Sequence, residues 1–287
     1  MNCPQRPPIN YPAGTAAIGT KIYVVGGGTA SGDIATNQVY NTSTNAWSTE
    51  AALPAATAGG AAAVVKNILY IFGGYSGTGQ TPVDAAWSYN PATNAWTAKA
   101  AMPTARGSAT AVVDGSIVYV IGGNGSTLRL DTVEAYDTLT NTWTEEAPLL
   151  TGKSDLTGGL LGKTVVAADG YNASSGDNGD DEAYDVSTNS WNALALDPEP
   201  RNSACYGASG GKLYVAGGSS NGFSVPQTET ESYTLTSNKW TSEASMPQAT
   251  IAPGSAVVNG LLYCISGSSS TAVGQGTFYS NVQIYQP

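Results

Sequence analysis

Three cations stand on one beat along the chain: Arg106 in PTARGSA, Lys153 in LTGKSDL and Arg201 in PEPRNSA, spaced 47 and 48 residues apart. A guanidinium offers a rigid fork of donors that matches a carboxylate, and an ammonium offers a compact positive charge. In a protein of formal net charge −10, three such groups at equivalent places focus a positive patch that favours an anionic ligand. Asp155 follows Lys153 by two residues and falls on the same strand face. A Lys–Asp pair of this kind is either catalytic or structural. The run GDNGDDE places Asp177, Asp180, Asp181 and Glu182 together. Oxygen-rich, glycine-containing loops suit Ca²⁺, but the spacing lacks the full EF-hand pattern, so a solvated acidic loop is the competing reading.

Other chemistry is excluded by composition. There is no His, which removes Ser-His and Cys-His nucleophile pairs and the commonest transition-metal ligand. No cofactor is expected. Cys3, Cys205 and Cys264 show no CxxC, and an odd count gives no disulfide framework. Cys205 and Cys264 fall in strand patterns and read as buried free thiols. The negative charge and lack of a basic run argue against nucleic acid. No apolar run is long enough to span a membrane. The sequons at Asn41, Asn124 and Asn172 carry weight only in a eukaryotic secretory context. Sparse cations and Ser/Thr/Asn-rich loops suit a secreted or cell-surface bacterial protein.

The elements that must position these groups are repeated. Apolar strands end in KIYVVGG, ILYIFGG, IVYVIGG, TVVAADG, KLYVAGG and LLYCISG, whose penultimate residues are Gly26, Gly73, Gly122, Asp169, Gly217 and Ser266. Trp47, Trp96, Trp143, Trp191 and Trp240 keep the same beat, each with a Tyr seven residues earlier and an Asn two residues earlier. Self-similarity at this period marks stacked or radially arranged units. Each unit reads as four antiparallel strands. In the third copy these are Ser108–Val113, a turn at Asp114-Gly115, Ile117–Gly123, Thr132–Asp137 and a short strand at Trp143. Tyr and Trp suit packing of one sheet on the next. Trp87, outside the repeat slots, shares a face with Tyr89 and reads as core.

A diglycine-ended strand followed by Tyr and then Trp, at about fifty residues per copy, resembles the kelch repeat. The resemblance covers the whole chain. It implies an all-β, six-bladed kelch-type β-propeller with four antiparallel strands per blade, formed by residues 1–287 as one domain. The fourth copy departs, with Asp169-Gly170 for the diglycine. The sixth lacks a Trp, and its missing strand is expected from residues 1–8, closing the ring between the termini. A chain cut in mid-repeat is expected to derive from a longer protein, with the domain itself monomeric.

Kelch ligands meet the loop entering each inner strand and the loop after each diglycine. Sixteen residues before the diglycine an equivalent slot holds Asn10, Thr57, Arg106, Lys153, Arg201 and Thr250. In some kelch domains an Arg in this slot faces the mouth and binds acidic peptides; it can equally bond carbonyls of a neighbouring blade. From the loops after the diglycines, Tyr75, Tyr171 and Phe223 could stack on a ligand, and Asn124, Arg129, Asn172 and Asn221 could orient it. The competing reading is solvated loops with each aromatic tucked on its blade. The expected function is a recognition module holding an anionic peptide, glycan or protein partner at one mouth. The alternatives are a carbohydrate-active enzyme, similar to kelch proteins that isomerise sialic acids, and a structural or adhesive segment of a larger surface protein. The copper oxidases of the family need His ligands, which this chain does not have.

Overall fold

The computed structural model describes residue 9 and residues 11–77, 80–269 and 277–287. Every regular element among them is a strand. Blade 1 comprises Gly14–Ile18, Lys21–Thr29, Gly32–Asn41 and Ala46–Glu50, paired antiparallel in that order. Blade 2 runs Ala61–Val65, Ile68–Phe72, Ala86–Asn90, Ala95–Ala98; blade 3 runs Thr110–Asp114, Ile117–Ile121, Val133–Asp137, Thr142–Glu146. Blades 4 and 5 repeat the plan from Thr157 to Ala193 and from Cys205 to Ser242. Blade 6 has three described strands, Gly254–Val258, Leu261–Ile265 and Val282–Tyr285. The strand expected at Ser108–Val113 begins at Thr110. Ser108 sits at φ 53°, outside the extended region, and forms the bend that leads in.

Six apolar clusters fill six gaps, one between each pair of adjacent blades, including the gap between blades 6 and 1. The ring is therefore closed. The repeat markers explain how the gaps are set. Each described marker Trp from Trp96 onward donates its Nε1 to a backbone carbonyl of the preceding blade, as Trp143 does to Ala100 at 2.8 Å. The Tyr hydroxyls of blades 1 to 5 donate to the turn Asn, Tyr136 to Asn141 at 2.6 Å. Those Asn residues hold φ between 48° and 59°, which Asn tolerates better than most residues. A Cβ on Gly73 would lie 2.2 Å from the Arg106 carbonyl, so at this crowded point only glycine lets adjacent blades meet.

Two expectations change here. Cys205 and Cys264 are not free thiols but form a disulfide, joining the inner strand of blade 5 to the second strand of blade 6. The expected fourth strand of blade 6, residues 1–8, lies outside the described residues. The outer flank of Val282–Tyr285 borders a groove of about 260 Å³ lined by Met246, Pro247 and Tyr285. Deleting residues 1–8 is expected to lower the melting temperature by several degrees; an unchanged midpoint in calorimetry would remove them from the closure.

Candidate functional site

As the chain enters each inner strand, one residue takes the left-handed conformation: Tyr11, Gly59, Ser108, Asp155, Ser203 and Ala252, at φ 45° to 60°. Five backbone hydrogen bonds link them in succession around the ring of blades. Gly59 N–H donates to Tyr11 O at 2.9 Å, Ser108 to Gly59 at 2.7 Å, Asp155 to Ser108 at 2.8 Å, Ser203 to Asp155 at 2.9 Å and Ala252 to Ser203 at 2.8 Å. This ring fixes a set of side chains around the central channel. Within the channel Tyr206 of blade 5 reaches Thr110 of blade 3, hydroxyl to hydroxyl at 2.8 Å.

The loops after the diglycines rise around the same end, because each pairs with the entry segment of an inner strand: Ala58 with Tyr75, Gly107 with Asn124, Ser154 with Tyr171, Asn202 with Ser219. Together they enclose a cavity of about 370 Å³. Tyr11, Ser108 and Asp155 line it, with Tyr75, Gln80, Asn124, Arg129 and Phe223 around them. Asp155 Oδ2 accepts from Ser154 Oγ at 2.8 Å. Burial pushes the Asp155 carboxyl above the usual carboxylate range, against the opposing pull of Ser154, Ser108 and the Arg129 charge. The Tyr11 and Tyr75 phenols are pushed up too, by burial first and then by the Asp155 charge. A carboxyl poised to accept a proton beside two phenols that keep theirs can hold a polyhydroxylated ligand or exchange protons with it.

Arg129 is the cation of this cavity. Its guanidinium carbon lies 5.1 Å from the Tyr171 ring centroid, and Tyr171 packs on Phe223 with centroids 4.8 Å apart. Among the described residues no carboxylate lies within ion-pair distance of Arg129, and its Nε donates to no described group.

The expected cationic slot is not on the mouth. Arg106, Lys153 and Arg201 are 1%, 0% and 1% exposed and lie inside the blade junctions. Arg106 pairs with Glu134 at 2.7 Å and donates to the carbonyls of Gly122 and Thr132 at 3.1 and 2.8 Å. Lys153 pairs with Glu182 at 3.4 Å and also bonds the Asp180 carbonyl. Arg201 pairs with Glu231 and donates to Glu229 O at 2.9 Å. The physical reason is backbone geometry: the carbonyl of each slot residue receives the last glycine N–H of the preceding blade, as Gly74 donates to Arg106 O at 2.9 Å. That bond draws the slot into the junction, and the side chain turns inward. Thr57 and Thr250 are buried in the same way. In blade 1 the counted position, Asn10, lies outside the described residues. Ile9 O accepts the equivalent bond from Gly267 at 3.3 Å, so the register there slips by one.

The acidic run does not converge either. Asp177 accepts from Asn202 Nδ2 and from Gly222 N, the latter at 3.0 Å. Asp181 accepts from Asp169 N and from Trp240 Nε1 at 2.9 and 2.7 Å, and Glu182 is held by Lys153. The Asp180 carboxylate joins no such set. Among the described residues no group of three or more His, Cys, Asp or Glu side chains is arranged to hold a metal. Asn172 donates to Gly152 O, tying its hairpin to the segment before Lys153, and Asn221 is an exposed turn residue. Tyr75, Asn124, Arg129, Phe223 and Asp155 line the cavity as a group, with Tyr171 packed behind Arg129. Sequence reasoning missed Tyr11, Gln80, Ser108 and Ser203. Ser108 and Ser203 share the register of Asp155, two residues past the cationic slot.

Comparison with known proteins adds three findings. A family model described as the KLHDC2/KLHL20/DRC7 Kelch-repeats domain matches residues 3–166, and the Kelch motif model matches residues 200–247. A solved structure described as "Structure of YjhT" superposes with a TM-score of 0.84 at 17% identity, over 99% of this chain and 97% of that one. No curated protein matches the sequence.

Proposed function

Since the chain belongs to the kelch-repeat family, we propose that it is a recognition module that takes an anionic peptide, glycan or protein surface into the mouth of its channel. The observation that carries this reading is Arg129: a cation without a carboxylate partner among the described residues, braced on Tyr171 at the wall of a 370 Å³ cavity. Among the described residues the fully buried cations Arg106, Lys153 and Arg201 are each paired with a Glu, whereas this one is left for a partner. Tyr75 and Phe223 supply apolar faces beside it, and Asn124 and Gln80 supply amide donors and acceptors. A disulfide between blades suits an oxidising compartment and supports a secreted or cell-surface setting.

An array of acidic peptides and acidic glycans finds the ligand. Arg129→Ala is then expected to weaken binding by about tenfold or more, with Arg129→Lys recovering part of it, because a charge-assisted bond contributes about 1.5–3 kcal/mol. Equal affinity of wild type and Arg129→Ala in calorimetric titration would overturn the site.

The enzymatic reading, a carbohydrate-active protein, is favoured by one observation: Asp155, whose carboxyl is pushed up by burial at the cavity floor beside Tyr11 and Tyr75. Turnover of a uronic or sialic acid that disappears in Asp155→Asn would establish it; binding without turnover leaves the recognition module.

A further inference from the structure

The six junctions follow one plan, and the junction between blades 4 and 5 breaks it at three neighbouring places. Where the second strand ends, the other blades carry Gly26, Gly73, Gly122, Gly217 or Ser266; blade 4 carries Asp169. Four residues before the buried slot, the other described junctions carry Leu53, Met102, Leu149 and Met246; this one carries Asp197. At the start of the third strand or just before it, the equivalents are Asn37, Ala86, Val133, Thr230 and Val282; here it is Asp181. These places face one another. A Cβ on Gly73 would touch Met102 Cε at 2.7 Å, and one on Gly217 would touch Met246 Sδ at 2.9 Å. A glycine packed on a thioether has thus been exchanged for a carboxyl packed on a carboxyl.

We propose that the junction of blades 4 and 5 is a proton-binding site, in which protons shared along Asp169, Asp197 and Glu231 hold the two blades together and their loss in alkaline solution loosens this one joint of the ring.

Burial and unmet hydrogen-bonding capacity support it. Asp169, Asp197 and Glu231 are 0%, 4% and 2% exposed. The Asp197 carboxyl stands within hydrogen-bonding reach of both the Asp169 and Glu231 carboxyls. Asp169 Oδ2, Asp197 Oδ2 and Glu231 Oε1 receive no N–H or O–H from any described group. The remaining oxygens are satisfied: Asp169 Oδ1 by Arg201 N at 3.4 Å, Asp197 Oδ1 by Glu199 N at 2.9 Å, Glu231 Oε2 by the Arg201 guanidinium. Two carboxylates in contact in a dry gap repel; one proton between them converts the contact into a hydrogen bond.

The charges around the site cannot neutralise it otherwise. Arg201 faces it directly, Lys153 acts on Asp181 but is bound to Glu182, and Glu199 adds a further negative charge. Asp181, tied to Asp169 N and Trp240 Nε1, completes the acidic set with the Tyr233 phenol nearby. Burial first, and then the Asp197 and Asp181 charges, push Asp169 well above the carboxylate range. Burial raises Asp181 to about 7, and burial with Asp197 raises Glu231 to about 8. The sign follows from linkage. A carboxyl whose folded value is raised holds its proton in the fold and not in the unfolded chain, so its stabilisation is complete in acid and lost as pH rises toward 8.

The test is urea unfolding of the wild type and of Asp169→Gly/Asp197→Met, which rebuilds the Gly73–Met102 arrangement, from pH 5.5 to 9. For the wild type the unfolding constant is expected to rise up to about tenfold per pH unit for each proton held, and the double variant, which keeps Asp181 and Glu231, is expected to lose the share of that slope that Asp169 and its contact with Asp197 supply. Asp155 and Asp33 also titrate upward and remain in both proteins, so the difference in slope isolates the junction. A flat wild-type profile, or the same slope in the variant, overturns the proposal. Should the double variant fail to fold, Asp197→Asn serves, because it removes the charge that raises Asp169 and Glu231 and supplies an amide donor in its place, so it should lower the slope. Wild-type unfolding at pH 7 should also release protons in calorimetry across buffers of different ionisation heat, and no release overturns the proposal equally.

Discussion

Glu134→Ala is expected to lower the free energy of unfolding by about 3–5 kcal/mol, although the residue does not line the mouth cavity. Glu134 and Arg106 are both fully buried and 2.7 Å apart. Removing the carboxylate leaves a guanidinium in a dry junction where desolvation already lowers its affinity for the proton and only Glu134 opposes that. The carbonyls of Gly122 and Thr132 still accept from Arg106, but they cannot cancel a full charge. The opposite change, Arg106→Met with Glu134→Leu, should come within about 1–2 kcal/mol of wild type, because an apolar pair of similar volume avoids the desolvation cost of a buried ion pair. Chemical denaturation of the single and double variants separates the two outcomes. A single variant as stable as wild type would show that the pair does not hold the junction. Neither change should alter the affinity of folded protein for a ligand held by Arg129, because the pair lies inside the junction and does not line the cavity.

That prediction also shows where the sequence was legible and where it was misread. The strands, the blade count and the packing of Tyr and Trp came from markers that hold register. The slot at Arg106 was placed correctly along the chain and wrongly in space. Its partner was visible: wherever the slot is cationic, a Glu stands two residues before the blade's Tyr, as Glu134, Glu182 and Glu231. Where the slot is Thr57 or Thr250, that place holds Trp87 or Gln283. Covariation within one chain therefore pointed to an ion pair. Arg129 offered no such signal, since the loops after the diglycines differ in sequence from blade to blade. The distinction between a spent and an available cation depended on three-dimensional contacts. The register slip at Ile9 was hidden because the extra residue falls between Tyr11 and Gly14, where no marker stands. The junction of blades 4 and 5 was marked by its Asp169-Gly170, but reading it as a degenerate repeat concealed that Asp181 and Asp197 had changed with it.

Reducing the Cys205–Cys264 bond is expected to cost about 4 kcal/mol, the largest effect available without touching a charged group. The two cysteines are separated by 59 residues, and closing a loop of that length removes a corresponding entropy from the unfolded chain. The odd cysteine count obscured this pairing, yet the repeat register contains it. Cys205 opens the inner strand of blade 5 and Cys264 lies near the end of the second strand of blade 6, so the two face each other across one junction. The apolar cluster at that junction, with Ala216, Met246 and Leu262, surrounds both cysteines. Like the junctions whose slots hold Ile9 and Thr57, it has no buried cation at the slot: the slot residue of blade 6 is Thr250, bonded to Ser266 O at 3.1 Å. A covalent tie thus stands where blades 3, 4 and 5 use an ion pair. Thermal unfolding with and without reductant measures the effect, and Cys205→Ala/Cys264→Ala checks it without thiol chemistry. Both should fall together, by roughly 8–16 °C for a protein of this size. A midpoint indifferent to reductant, with the thiols shown to be free, would mean that the junction is held by its apolar cluster alone.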